Sequence, residues 1–202
     1  HRYEEAIVAY EQAYPLLDAS APSTRQWQVI LLERIGWLNF TRLELEPEES
    51  EQGAAYLLAS KQAYQKAERR AEGVPLTYEM RLIIPMNLAR LLIMEKGRDR
   101  RAKGLLETTI SMADRLLSGS ELPLHQEVLR SELLAIQQGH GEDILERIRT
   151  LRAMAMLFLG MVMVYQGRQS ASVSLVREAL ESGALPSAQA QDKKVRAQMA
   201  GA

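Results

Sequence analysis

The sequence predicts an all-α protein of about eight or nine helices, and three observations support that fold class. Apolar residues recur at spacings of three and four along most of the chain, which is the period of a helix with one buried face. Glycine and proline are concentrated between these stretches, where they end helices. No stretch shows the alternation of Val, Ile and Thr with polar residues that is typical of a strand. We therefore expect helix throughout.

Each helical segment is predicted from its apolar period and from the residues that bound it. Ser23 and Thr24, Thr77 and Ser120 precede three segments, and their hydroxyls can accept free N–H groups of a first turn. Pro85 is expected either to kink the fourth segment or to mark its true start. Stops are predicted at Gly73, Gly97, Gly119, Gly139 and Gly183. The predicted segments are 2–18, 23–45, 49–72, 76–96, 98–118, 121–138, 142–166 and 168–183.

Length and composition bound the class of protein. A chain of 202 residues fits one domain or part of a longer repeat array. Its 47% hydrophobic and 25% charged residues lie in the globular range, away from disordered proteins. We assign residues 1–186 to one helical repeat domain. Residues 187–202 are expected to form a polar C-terminal tail or a capping helix.

Charge and residue usage argue against several functions. Lys and Arg number 25 against 26 Asp and Glu, so the net charge of −1 supplies no field for holding nucleic acid. The chain has no cysteine, which excludes disulfides and thiolate chemistry and is compatible with a cytoplasmic location. Residues 153–165 are uncharged and apolar, yet too short for a bilayer span of roughly 20 residues, so we expect a buried helix and no membrane span.

Catalytic and metal-binding patterns are missing from the sequence. His1, His125 and His140 have no His-x-x-x-His or carboxylate partner at a suitable spacing. No paired carboxylate motif or nucleophile elbow is found either. The basic run Arg98, Arg100, Arg101 and Lys103 could dock a phosphate at a helix start, but Asp99 and Glu107 favour an ordinary solvated face. We expect no enzyme activity, no cofactor and no metal.

A repeated spacing carries a family resemblance. In residues 2–14 a small, an aromatic and a small residue follow at intervals of four and three, and this stretch resembles the second helix of a tetratricopeptide repeat. The fullest copy is Leu159, Gly160, Met163, Gly167, Ser172, Val176 and Ala179. The resemblance implies an α-α superhelix, a solenoid of antiparallel helix pairs with a truncated first repeat. We therefore expect this chain to be part of a larger protein. The spacing also occurs at Ser60, Tyr64 and Ala67, and at Ala102, Leu106 and Thr109.

The long middle helices are similar to another helical repeat. Residues 87–94, leading into Gly97 and Leu105-Leu106, resemble the repeat domains of MalT-type bacterial transcriptional activators. That resemblance implies regulation of transcription by sensing a ligand or a regulatory protein, with ATPase and DNA-binding modules elsewhere. Neither a Gly-x-x-x-x-Gly-Lys-Ser/Thr loop nor a basic helix-turn-helix is found in this sequence.

The tetratricopeptide resemblance also implies a binding groove. In that family the first helix of each pair lines the concave face, and here those positions are mostly apolar and rich in Met, which suits an amphipathic helix of a protein or peptide partner. Ser131 and Glu132 fit the packing positions poorly and weaken the register between 119 and 152. The predicted groove residues are Ile30, Glu33, Trp37, Phe40, Ile84, Asn87, Leu91, Met94, Leu129, Leu133, Ile136, Met154, Leu157, Met161 and Val164.

Two alternatives to this groove stay open. Apolar stripes at helical spacing are more often part of the core than of a binding surface. A small-molecule sensor would instead place Trp27, Trp37, Tyr78 and Asn87 around an enclosed cavity. The sequence leaves the oligomeric state and the identity of any partner open.

Overall fold

The computed structural model describes residues 2–17, 22–47, 50–96, 99–118, 128–138 and 141–182. Within these ranges the chain forms α-helices and no named β-strand, which confirms the all-α prediction. The predicted stops at 97, 119, 139 and 183, the three histidines and the tail 187–202 lie outside the described residues. The helices are α1 (Arg2–Ala13), α2 (Pro22–Leu45), α3 (Glu51–Ala71), α4 (Tyr78–Lys96), α5 (Arg100–Leu117), α6 (Arg130–Gln137), α7 (Glu142–Tyr165) and α8 (Gln169–Glu181).

Helix ends follow the local signals of the sequence. The Thr77 hydroxyl accepts the N–H of Met80 at 3.2 Å and so caps α4 as predicted. Gly73, with φ of +68°, follows the end of α3 in the left-handed conformation that glycine adopts without strain. Pro85 lies inside α4, so it does not mark the start of that helix.

Two predicted helices are shorter than expected. The first ends at Ala13 and continues as a 3-10 turn over Tyr14–Leu16, because Pro15 has no N–H for a further α-helical hydrogen bond. The sixth was predicted over 121–138, but α6 begins only at Arg130.

The reason for the late start of α6 is an extended backbone contact. Val128 is completely buried and pairs in a parallel bridge with Leu76, and the N–H of Leu129 donates to the Leu76 carbonyl at 2.8 Å. This contact satisfies a backbone donor outside a helix. Leu129 therefore lies outside a helix, although the predicted segment 121–138 included it.

The described chain divides into two compact units, and the division falls within α4 after Leu91. The first unit contains α1, α2, α3 and α4 up to Leu91, with Val128 and Leu129. In it, α2 packs against α1 and α3. The second unit contains the end of α4 and the helices α5 to α8, and in it α7 packs against both α5 and α8. Each unit thus has a central helix.

A close backbone contact joins α2 to α3 in the first unit. The Ser60 hydroxyl donates to the Gly36 carbonyl at 2.7 Å. A Cβ on Gly36 would lie 2.8 Å from the ring of Tyr64, which is itself completely buried. Only a residue without a side chain fits there, so Gly36 lets the two helices approach.

The same contact recurs between α7 and α8 in the second unit. The Ser172 hydroxyl donates to the Gly160 carbonyl at 2.9 Å, and a Cβ on Gly160 would lie 2.9 Å from Val176. Tyr64 stands four positions after Ser60, and Val176 stands four positions after Ser172. Ala67 and Ala179, three positions further on, have no solvent exposure. The predicted spacing of small and large residues therefore gives the same helix–helix contact in two helix pairs, α2 with α3 and α7 with α8.

The long apolar helix α7 forms the core of the second unit. It is long and apolar enough to cross a bilayer by length and composition alone, and 61% of its most apolar window is buried within the protein. Ala155, Met156 and Val162 are almost completely enclosed. Burial against α5 and α8 accounts for this composition.

We expect Gly36→Ala and Gly160→Ala each to destabilise the protein by about 1–3 kcal/mol, because each methyl group would overlap a packed side chain. Gly104→Ala is the matched control. Gly104 is an exposed position of α5 with nothing within 4 Å of its added Cβ, so this change should stabilise by up to about 1 kcal/mol through helix propensity. Urea unfolding measures all three. Equal effects at the three glycines would contradict the close-contact account.

Candidate functional site

A stripe of partly exposed side chains runs along α2. Trp27 and Trp37 are 58% and 43% exposed, and they are the two tryptophans of the chain. Ile30 and Arg34 lie between them at spacings of three and four, which places all four residues on one face of the helix. We call these four residues the α2 stripe. Exposure of two indoles on one face is a feature of binding surfaces more than of plain solvated helices.

Glu33 lies beside the stripe and is only 5% exposed. Its Oε2 atom has no hydrogen-bond partner among the described residues, and the Nε of Arg34 lies 3.6 Å away. Burial raises the pKa of Glu33, the Arg34 charge opposes this shift, and the Glu79 carboxylate adds to it. A buried carboxylate oxygen without a hydrogen bond is a cost to the fold.

Glu33 shares its surroundings with Tyr64 and Asn87. The Asn87 amide donates to the Tyr64 hydroxyl at 2.9 Å and so links α4 to α3. Burial raises the pKa of Tyr64, and the Glu33 carboxylate raises it further. We call Glu33, Tyr64 and Asn87 the polar cluster. It brings together two predicted groove residues, Glu33 and Asn87, and one residue, Tyr64, that was predicted only as a packing residue.

The other predicted groove residues are distributed differently. Met94 is 52% exposed, whereas Ile30, Leu129, Met154, Met161 and Val164 are partly buried. The side chain of Ile136 lies outside the described part of the chain. Contact of any of them with a partner remains a prediction. Those buried in the interior of their units are Phe40, Ile84, Leu91, Leu133 and Leu157.

The enclosed cavity expected for a small-molecule sensor does not fit the placement of its residues. Trp27 and Trp37 both face solvent over much of their surface. The Asn87 amide is hydrogen-bonded to the Tyr64 hydroxyl. Tyr78 is the one member of that set that is buried.

A shallow cleft in the second unit was missed by the sequence reasoning. It has a volume of about 510 Å³ and lies where α5, α7 and α8 meet. Near it, Arg152 of α7 donates to Asp114 of α5 at 2.6 Å and to Glu178 of α8 at 3.0 Å. The lining comes from three helices, so no local motif marks it. The lining residues are Glu107, Ile110, Ser111, Asp114, Arg115, Ser118, Leu159 and Leu175.

Neither a metal site nor a similarity to known proteins identifies a further functional site among the described residues. Within the described ranges no three His, Asp or Glu side chains are grouped to hold a metal ion. Comparisons with protein-family models, with curated proteins and with solved structures found no match for this chain. The α2 stripe with the polar cluster is thus the best-defined candidate site, and the cleft is the second.

The raised pKa of Glu33 gives a pH-dependent test of the polar cluster. A carboxyl group whose pKa is higher in the folded state stabilises the fold below its ordinary pKa, and this contribution is lost as pH rises through the raised value. We therefore expect Glu33→Gln to be more stable than wild type at neutral pH. The difference should disappear near about pH 4, where the wild-type group is also neutral.

Urea unfolding at the two pH values measures this difference. Glu11→Gln, on the exposed surface of α1, makes the same change of charge and should alter stability little at either pH. Loss of stability at neutral pH in Glu33→Gln would show that the ionised carboxylate is satisfied in the fold.

Proposed function

We propose that this chain is a tetratricopeptide-like interaction module that binds a segment of another protein along the α2 stripe. The observation that carries the proposal is the exposure of Trp27 and Trp37 on one face of a helix that is otherwise well packed. Tryptophan is enriched among the residues that dominate binding energy at interfaces. The proposal includes Ile30 and the polar residues Glu33 and Asn87 as neighbours of the contact.

The solenoid part of the proposal is supported by the repeated helix contact. Gly36 with Ser60, and Gly160 with Ser172, make the same hydroxyl-to-carbonyl hydrogen bond between successive helices. Repetition of one packing geometry in two hairpins is what a stack of helix pairs requires.

The form of the stripe favours a helical partner. From Trp27 to Trp37 it spans about 15 Å along the helix axis. Anchors at intervals of three and four match the apolar face of an amphipathic helix laid beside it. We propose that the module works as an adaptor or sensor within a larger protein, as the MalT-type resemblance implies.

The proposal predicts that the two indoles contribute most of the binding energy. Peptides selected from a displayed random library against the whole chain supply the ligand, and calorimetry measures their affinity. Trp37→Ala and Trp27→Ala should each weaken binding by about tenfold or more. Leu58→Ala, at an equally exposed position of α3, is the matched control and should change the affinity less than about twofold. Unchanged affinity in both tryptophan variants would remove the α2 stripe as the binding surface.

Two other predicted groove residues, Leu91 and Met161, are less suitable positions for a charged substitution that tests binding. Leu91 is completely buried, so a charge there would unfold the protein before it affected a partner. Met161 is partly buried in the central helix of the second unit. The exposed tryptophans report on binding without this complication.

A second candidate function is small-molecule sensing in the cleft of the second unit. Its volume of about 510 Å³ lies within the usual range of ligand sites. Ile110, Leu159 and Leu175 supply apolar lining, and the charged lining residues are Glu107, Asp114 and Arg115.

A thermal-shift screen with a metabolite panel tests the cleft. We expect a compound that raises the melting temperature of the wild type to lose its effect on Ser111→Trp, because the indole would fill the cleft from an exposed position of α5. Ser174→Trp, exposed on α8 and not among the lining residues, should keep the response. If the compound raised the melting temperature of Ser111→Trp as much as that of the wild type, it would bind outside the cleft.

A further inference from the structure

We infer that the segment bound on the α2 stripe carries an acidic side chain, Asp or Glu, which pairs with the exposed Arg34 guanidinium between apolar contacts on Trp27 and Trp37. This inference rests on the proposed function, since it names the chemistry of the segment that the stripe binds. It concerns a side-chain carboxylate within a helical segment, and not the free carboxylate of a chain end.

The first observation is that Arg34 is the accessible charge of the α2 stripe. Between Trp27 and Trp37 the sequence has two charged residues, Glu33 and Arg34. Glu33 is only 5% exposed, whereas 51% of the Arg34 side chain is open to solvent. A segment that lies along the stripe therefore meets one charged group, and this group is a cation.

The position of Arg34 is the second observation. It stands seven residues after Trp27 and three before Trp37, so both indoles lie on its face of the helix, one toward each end. Ile30 lies one turn before it on the same face. A helical segment that contacts both indoles must therefore also cover the guanidinium.

The third observation is the unused hydrogen-bonding capacity of Arg34. A guanidinium has five N–H donors, and among the described residues this one donates no hydrogen bond. Its ion pair with Glu33 joins Nε to Oε2 at 3.6 Å, which is beyond hydrogen-bonding distance. The terminal NH2 groups of this half-exposed side chain are thus available to a partner.

Glu33 is an incomplete counter-ion for Arg34. Burial raises the pKa of Glu33, and the Glu79 carboxylate of α4 raises it further, so the surroundings disfavour the ionised form that would neutralise a cation. The charge of Arg34 is therefore satisfied mainly by water in the free protein.

Covering the stripe removes this water. A cation that is buried without hydrogen bonds is costly, so an entirely apolar segment is disfavoured at this position. A carboxylate can instead accept two parallel N–H···O bonds from the guanidinium. Such bonds are stronger where neighbouring indoles exclude water. The stripe therefore selects a segment with an acid between two apolar anchors.

Two other arginines of the first unit show the same chemistry within the chain. Arg42 donates to Glu4 at 2.7 Å, and Arg90 donates to Glu44 at 2.8 Å. Both guanidinium groups also lie over an aromatic ring. Arg34 has no carboxylate at such a distance among the described residues, and we expect the partner to supply it.

The test uses the peptides selected against the whole chain, synthesised with acetylated and amidated ends so that their side chains carry the only charges. Peptides that bind should share Asp or Glu at one aligned position, with apolar residues on both sides at helical spacing. Replacing that acid by Asn or Gln should weaken binding to the wild type by about tenfold or more. On Arg34→Gln the same replacement should change the affinity less than about twofold. Arg177→Gln, which removes an exposed cation of α8, should behave as the wild type.

An exchange of charges gives an independent result. A peptide with Lys at the aligned position should bind Arg34→Glu about tenfold more tightly than it binds the wild type, because the like charges are replaced by an opposite pair. A gain of affinity cannot come from a loss of fold, and circular dichroism checks the fold of each variant. Equal binding of the Lys peptide to both proteins would contradict the inference.

The outcomes separate this inference from the proposed function. Peptides that depend on both tryptophans but lose nothing when the acid is replaced would overturn the acidic pairing and leave the interaction module standing. An equal loss on the wild type and on Arg34→Gln would assign the acid to another cation and overturn the pairing as well. Failure of every peptide to bind would remove the interaction module and this inference together.

Discussion

The close approach of paired helices at Gly36 and Gly160 is the constraint on which the structure of each unit depends. At both positions a serine hydroxyl from the next helix reaches the glycine carbonyl, and a side chain from that helix occupies the space where a Cβ would stand. The interior tolerates neither a methyl group nor a cavity at such a contact. The contacts at Gly36 and Gly160 fix how α2 and α7 are rotated about their own axes.

That rotation decides which side chains of α2 meet solvent. Gly36 faces α3, so the helical period turns Trp27, Ile30 and Arg34 toward the opposite side. Glu33 stands between the two faces, and the packing of α2 encloses its carboxyl group without supplying a hydrogen bond to Oε2. An enclosed acid beside an open indole is unfavourable for stability alone.

The two units use the same hairpin contact and differ in what surrounds it. In the first, an aromatic ring and a carboxylate together hold Arg42 of α2 and Arg90 of α4. In the second, Arg152 of α7 ties together carboxylates of α5 and α8, and an open cleft lies between these helices. The same helix–helix contact is thus compatible with different side chains around it.

The sequence by itself determined the helices, most of their ends and the spacing of small residues at Ser60, Ala67, Ser172 and Ala179, because these depend on local period and capping. Only the tertiary structure decided that Leu91 and Phe40 are enclosed while Trp37 is open, since a helical face that looks apolar in sequence can meet either a neighbour or solvent. The extended segment at Val128 and the cleft at α5, α7 and α8 arise from contacts between residues far apart in the chain. No local period encodes such contacts.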